Sequence, residues 1–124
     1  MDELLEQLAI ESADILSEVE NYQWSLGEKA NTVIERTGYK SLVDFAKRIE
    51  NICGVKRSAG SYRMYAYVWK RSTELGLPKD ILFSACQDIV FSKEPVKYAL
   101  MAQKGLSGTD IRKAIYNDKY AQSD

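Results

Sequence analysis

"VKRSAGSYRMYAYVWKR", residues 55–71, carries five basic residues and four aromatics in one short run. Its spacing decides the fold. Wound at 3.6 residues per turn, Tyr62, Tyr65, Ala66, Val68, Trp69 and Leu75 gather on one side. Arg63, Tyr67, Lys70 and Glu74 gather on the opposite side, with Arg71 beside them. The stretch therefore predicts a helix from about Ser61 to Leu75, stopped by Gly76 and Pro78. Its inner face is aromatic, and its outer face is basic with one tyrosine. "VKRSAGS" before it is a small, basic loop.

The rest of the chain has the same periodicity. Leu4, Leu5, Leu8, Ser12, Ile15, Leu16 and Val19 form the stripe of an amphipathic first helix. Asp2, Glu3 and Glu6 suit its N-terminus through the helix dipole. Ser25 and Glu28 stand at capping-box spacing and predict a helix start near Leu26, with Tyr22 and Trp24 as the entry staple and Gly38 as the stop. Ser41 is the expected cap of the next helix. Leu42, Phe45, Ala46, Ile49 and Cys53 are its core face, and Gly54 its end.

"DILFSACQDIVF" predicts a mostly apolar helix with Ile81, Leu82, Ala85, Ile89 and Val90 buried. Trp24, Phe45, Phe83 and Phe91 are all expected in the core. Ser92 caps the following helix, with Pro95 in its first turn and Gly105 as its stop. Ser107, with Asp110 three residues on, caps the last. There is no alternating strand pattern. The expected fold class is all-α: a compact multi-helix domain of about seven helices. Residues 1–20 are an acidic amphipathic helix, 21–118 the helical body and 119–124 a frayed tail.

Charge is unevenly spread. Residues 1–20 hold seven acids and no base, while 29–71 hold ten bases and three acids. An acidic arm on a basic body suits a polyanion partner. There is no histidine, which removes the commonest general base and metal ligand. Two separated cysteines cannot make a zinc site and are expected to be reduced and largely buried. No GxGxxG or Walker A run occurs. The chain is expected to be cytoplasmic and non-enzymatic, with no cofactor, no metal and no membrane span. A small carboxylate- or lysine-based enzyme is the least favoured class.

"SLVDFAKRIENICGVKRSAGSYRMYAYV" resembles the helix, turn and Ser-rich helix of helix-turn-helix DNA-binding regulators. The resemblance covers under a quarter of the chain. The segment between its helices is several residues longer than the usual tight turn, so a winged or irregular variant fits equally. It implies double-stranded DNA as partner. Ser58, Ser61, Arg63 and Tyr67 would face bases, and Lys56, Arg57, Lys70 and Arg71 would take phosphates.

A second stretch, "EPVKYALMAQKGLSGTDIRKAI" (94–115), resembles the Gly-hydrophobic-Ser junction of helix-turn-helix units in plasmid partition and phage regulator proteins. Gly105, Ser107 and Ile111 match in spacing. Met101 stands where a small residue is usual. Thr109, Arg112, Lys113 and Tyr116 would form the reading side. The implied role is a small transcription regulator or a replication or partition accessory factor. The alternative is a protein-interaction module, an adaptor or inhibitor using the acidic helix and aromatic surface. The acidic helix has three roles open to it: packing on its own domain, pairing in a homodimer, or covering the basic surface.

Overall fold

Short helices punctuated by glycine and proline leave little room for anything but helix packing. A computed structural model bears this out. It describes residues 2–18 and 22–121. Among them are seven helices and no strand. They are α1 (Asp2–Glu18), α2 (Tyr22–Thr37), α3 (Ser41–Cys53), α4 (Ala59–Glu74), α5 (Phe83–Ile89), α6 (Pro95–Gln103) and α7 (Gly108–Ala121). Val19 and Glu20, expected in the acidic helix, lie outside the described residues, as does the end of the tail, 122–124. α7 runs through Ala121, three residues into the segment expected to fray. No described helix is long and apolar enough to cross a membrane.

Packing divides the chain into two compact units, Met1–Lys70 and Arg71–Asp124, with the division falling inside α4. In the first unit, α1 lays its stripe on α3 and α2. Leu5, Leu8 and Ala9 join a core with Leu26, Val33, Leu42, Phe45, Ile49 and Tyr62. Each such leucine contributes roughly 1.5–3 kcal/mol by leaving water. The acids of α1 reach across as well. Arg48 on α3 donates from Nη1 to Glu6 at 2.8 Å, from Nη2 to Asp2 at 3.3 Å and from Nε to Asp44 at 3.2 Å. Those bonds, Asp44's and then Glu6's foremost, raise its pKa further. Lys29 pairs with Glu11 at 3.4 Å.

α4 joins this core through an edge-on stack of Tyr62 against Phe45, with ring centroids 5.4 Å apart. Gly27 lets α2 and α4 approach closely. A Cβ there would overlap the backbone oxygen of Tyr65 and stand 2.8 Å from the Cβ of Trp69.

In the second unit, α5, α6 and α7 each pack against the other two. Phe83, Cys86, Ile89, Tyr98, Ala99 and Ile111 are buried there. The Cys86 thiol lies 3.1 Å from the buried Ser72 hydroxyl, and burial raises its pKa. Both cysteines are free, and Cys53 is only half-buried.

Several local expectations are corrected. Trp24 is buried in helical register, so α2 starts at Tyr22 and Ser25 lies inside it rather than capping it. Lys40 before α3 is already helical, and Ser41 Oγ donates back to the Thr37 carbonyl at 3.3 Å instead of capping. Ser92 Oγ donates to the Ile89 carbonyl at 2.6 Å, so it closes α5 and does not open α6. α5 is shorter than expected. Leu82 is extended just before it and 59% exposed. Phe91 lies beyond its end and is 60% exposed. The expected stops hold: Gly38, Gly54, Gly76 and Gly105 all have positive φ. Pro95 begins α6, and Ser107 Oγ accepts the Asp110 N–H at 3.2 Å.

Candidate nucleic-acid interface

The five residues Gly54–Ser58 join α3 to α4. A tight helix-turn-helix uses three or four. Gly54, at φ 78°, ends α3 with its N–H on the Glu50 carbonyl. The first N–H groups of a helix have no partner within it. Ser58 Oγ accepts that of Ser61 at 3.1 Å, and the two hydroxyls lie 3.2 Å apart. This cap starts α4 two residues before the expected Ser61.

Arg57, expected to hold a phosphate, is instead half-buried and turned inward. Its Nη2 donates to the Tyr22 hydroxyl at 2.6 Å and its Nη1 to the Tyr65 hydroxyl at 3.4 Å. Its guanidinium also lies 5.0 Å from the Tyr22 ring centre. It ties the loop and α4 to α2. Lys56 beside it is exposed.

The outer face of α4 carries Arg63, Tyr67 and Lys70 on successive turns, all exposed. The Arg63 guanidinium lies over the ring of Tyr39, 4.7 Å from its centre. Tyr39 sits in the turn between α2 and α3 and is 57% exposed. The sequence reading missed it. Its signal was an aromatic between Gly38, which forces a turn, and Lys40, outside any apolar stripe. Lys40, Lys47 and Lys56 are further exposed cations of this unit. Arg48 and Lys29, by contrast, already face carboxylates of α1. The α3–α4 pair thus presents a guanidinium stacked on an open ring, a second tyrosine and several lysines. Such a set can fork to a base edge, stack and neutralise phosphates.

The remaining expected residues belong to the second unit. Arg71 is half-buried and pairs with Glu74 at 3.6 Å. Four residues, Lys104–Ser107, join α6 to α7, with Gly105 at φ 99°. That is a tight-turn length. Ile111 is buried as the spacing required, and Met101 is half-buried. Thr109, Lys113 and Tyr116 are exposed on α7. Arg112 is exposed too, but its Nε donates to Asp88 at 2.9 Å, which holds it toward α5.

No protein-family model, curated protein or solved structure matches the chain.

Proposed function

We propose that the chain binds double-stranded DNA, with α4 as its reading helix. It would act as a sequence-specific or structural binder, serving a small transcription regulator or a replication or partition accessory. The observation that carries this is the outer face of α4: Arg63 over Tyr39, then Tyr67 and Lys70 at the next turns, with Lys56 just before the helix. Arg63 would read a base edge, and Lys56 and Lys70 would take phosphates. α6 and α7, with Thr109, Arg112 and Lys113, are a second contact surface in the same proposal. A pair of copies on two half-sites would add specificity.

The test is fluorescence anisotropy of a labelled random-sequence duplex, titrated at about 50 and 200 mM salt. Binding should fall by orders of magnitude at the higher salt. Arg63→Ala combined with Lys70→Ala should weaken it further. No binding at low salt would end the proposal.

One observation favours the alternative, a protein-interaction surface. Val43 and Ile52 on α3 are exposed apolar side chains, and Tyr39 and Tyr67 are exposed as well. Partner binding that excess duplex DNA leaves unchanged would support it.

A further inference from the structure

The turn between α2 and α3 holds one aromatic ring out from the first unit. Gly38, at φ 88°, donates its N–H to the Ile34 carbonyl at 2.9 Å and closes α2. The carbonyls of Gly38 and Tyr39 accept the N–H groups of Ser41 and Leu42, at 3.2 and 3.1 Å, where α3 begins. The backbone of Tyr39 is thus anchored on both sides, while the residue is 57% exposed. That exposure is what remains with the Arg63 guanidinium already over the ring, 4.7 Å from its centre. Ring and guanidinium form one fixed, planar platform at the surface.

The charge around the platform is positive. Residues 36–70 hold eight bases and two acids. Arg48 is held by the carboxylates of Asp2, Glu6 and Asp44, and Arg57 by the hydroxyls of Tyr22 and Tyr65. The other six, Arg36, Lys40, Lys47, Lys56, Arg63 and Lys70, are exposed and make no ion pair among the described residues. Of the two acids, Asp44 is engaged by Arg48 and Glu50 is half-buried.

An intact duplex offers a protein in its groove the edges of bases, because their faces are stacked on one another. The face of a tyrosine finds nothing to stack on there. A base outside the stack, at a bulge or a mismatch, does offer its face. Aromatic rings and guanidinium planes flanked by cations are the groups that take such a base. An unpaired base is also the one that costs least to extrude.

We propose that the Tyr39–Arg63 platform stacks one unpaired base, so that the preferred target is duplex DNA with a nucleotide outside the stack. This rests on the DNA reading of α4 and adds to it which DNA is preferred. The platform takes the face of the base, and the N–H edge of Arg63 stays free for a base edge or a phosphate. Lys40, next to Tyr39, and Lys56 and Lys70 on either side of Arg63 in sequence neutralise phosphates of the flanking strands.

Fluorescence anisotropy of the full chain at about 50 mM salt tests this with three labelled DNAs. They are an intact duplex, the same duplex with a one-nucleotide adenine bulge, and that bulge with an abasic residue in place of the adenine. The adenine bulge should bind about tenfold more tightly than the intact duplex, the range that stacking of one base supplies. The abasic bulge should lose that gain, which separates stacking from the bend that any bulge introduces. Tyr39→Ala should lose it too, and Tyr39→Phe should keep it. Equal binding of intact and bulged duplex overturns the proposal and leaves the DNA reading standing. So does a gain that the abasic bulge retains, or one that survives Tyr39→Ala. Absence of binding to all three DNAs ends the DNA reading and this proposal with it.

Discussion

Arg63 on α4 and Tyr39 in the α2–α3 turn are 24 positions apart in sequence, yet the guanidinium rests 4.7 Å from the ring centre. A stacked guanidinium keeps its N–H edge free while losing much of its freedom to swing, so the ring orients the group proposed to read a base. Arg63→Ala should weaken binding to a selected DNA site by roughly 1–3 kcal/mol and relax one base position. Tyr39→Ala should cost less, roughly 0.5–1 kcal/mol, the worth of an exposed cation–π contact. Tyr39→Phe should keep most of it. Anisotropy on the selected site, with single-base variants, separates these. If Tyr39→Phe is as harmful as Tyr39→Ala, stacking is not the cause. Lys56→Ala should weaken all sequences alike and flatten the salt dependence.

Gly27 sets a sign. Inside an exposed helix, Gly→Ala stabilises by about 1 kcal/mol. Here a Cβ would overlap the Tyr65 carbonyl oxygen and press on the Cβ of Trp69. Neither is the far end of a flexible side chain. Gly27→Ala should therefore destabilise, by about 1–3 kcal/mol as other overpacked cores do. A urea titration that shows a gain in stability would mean the α2–α4 crossing is looser than described.

Tyr62 is fully buried, and its hydroxyl has no hydrogen-bond partner among the described residues. Burial pushes its pKa up to about 12. An unpaired buried hydroxyl costs about 1–3 kcal/mol. Tyr62→Phe keeps the stack on Phe45 and removes that cost, so it should raise stability by about 1 kcal/mol. A loss of stability would reveal a partner for the hydroxyl.

The Tyr98–Asp118–Lys97 group predicts a pH response of the second unit. Asp118 titrates lower in the folded chain than in the unfolded one. Its contribution is fully present above the unfolded carboxylate value, about 3.9, and is lost as pH falls through the lower folded value. Tyr98 is raised, by burial first and then by Asp118, and Lys97 is raised by its bond to Asp118. Their contributions are present below the unfolded values, about 10 and 10.4, and are lost as pH rises through the higher folded ones. Asp118→Asn should lower stability at pH 7 and flatten both limbs. Denaturation followed from pH 2 to 11 checks this. Limbs that are unchanged in the variant would remove the group from the account.

The helices were legible because their signals are local. Apolar spacing depends on neighbours within a turn or two, and Gly54, Gly105, Pro95 and Ser107 act on their own backbone. The burial of Phe45, Tyr62 and Ile111 followed from the same spacing. Cap assignments failed where a side chain had a stronger claim on the backbone than the local motif. Trp24 pulled Ser25 into α2, and the helical turn at Lys40 left Ser41 no extended position to cap from.

By itself, then, the sequence determined an all-α fold class, the seven helices of the described residues, most of their stops and the two-faced character of α4. Only the tertiary structure decided what each charge and ring is for. Arg57 turned inward to Tyr22 and Tyr65, Arg48 was clamped by α1, and Arg63 was set on Tyr39. Leu82 and Phe91 were left more than half exposed where α5 proved shorter than its apolar run. The physical reason is range. Helical periodicity acts over one or two turns, whereas a cation finds its ring or carboxylate across residues far apart in the chain. That pairing exists only once the helices have packed.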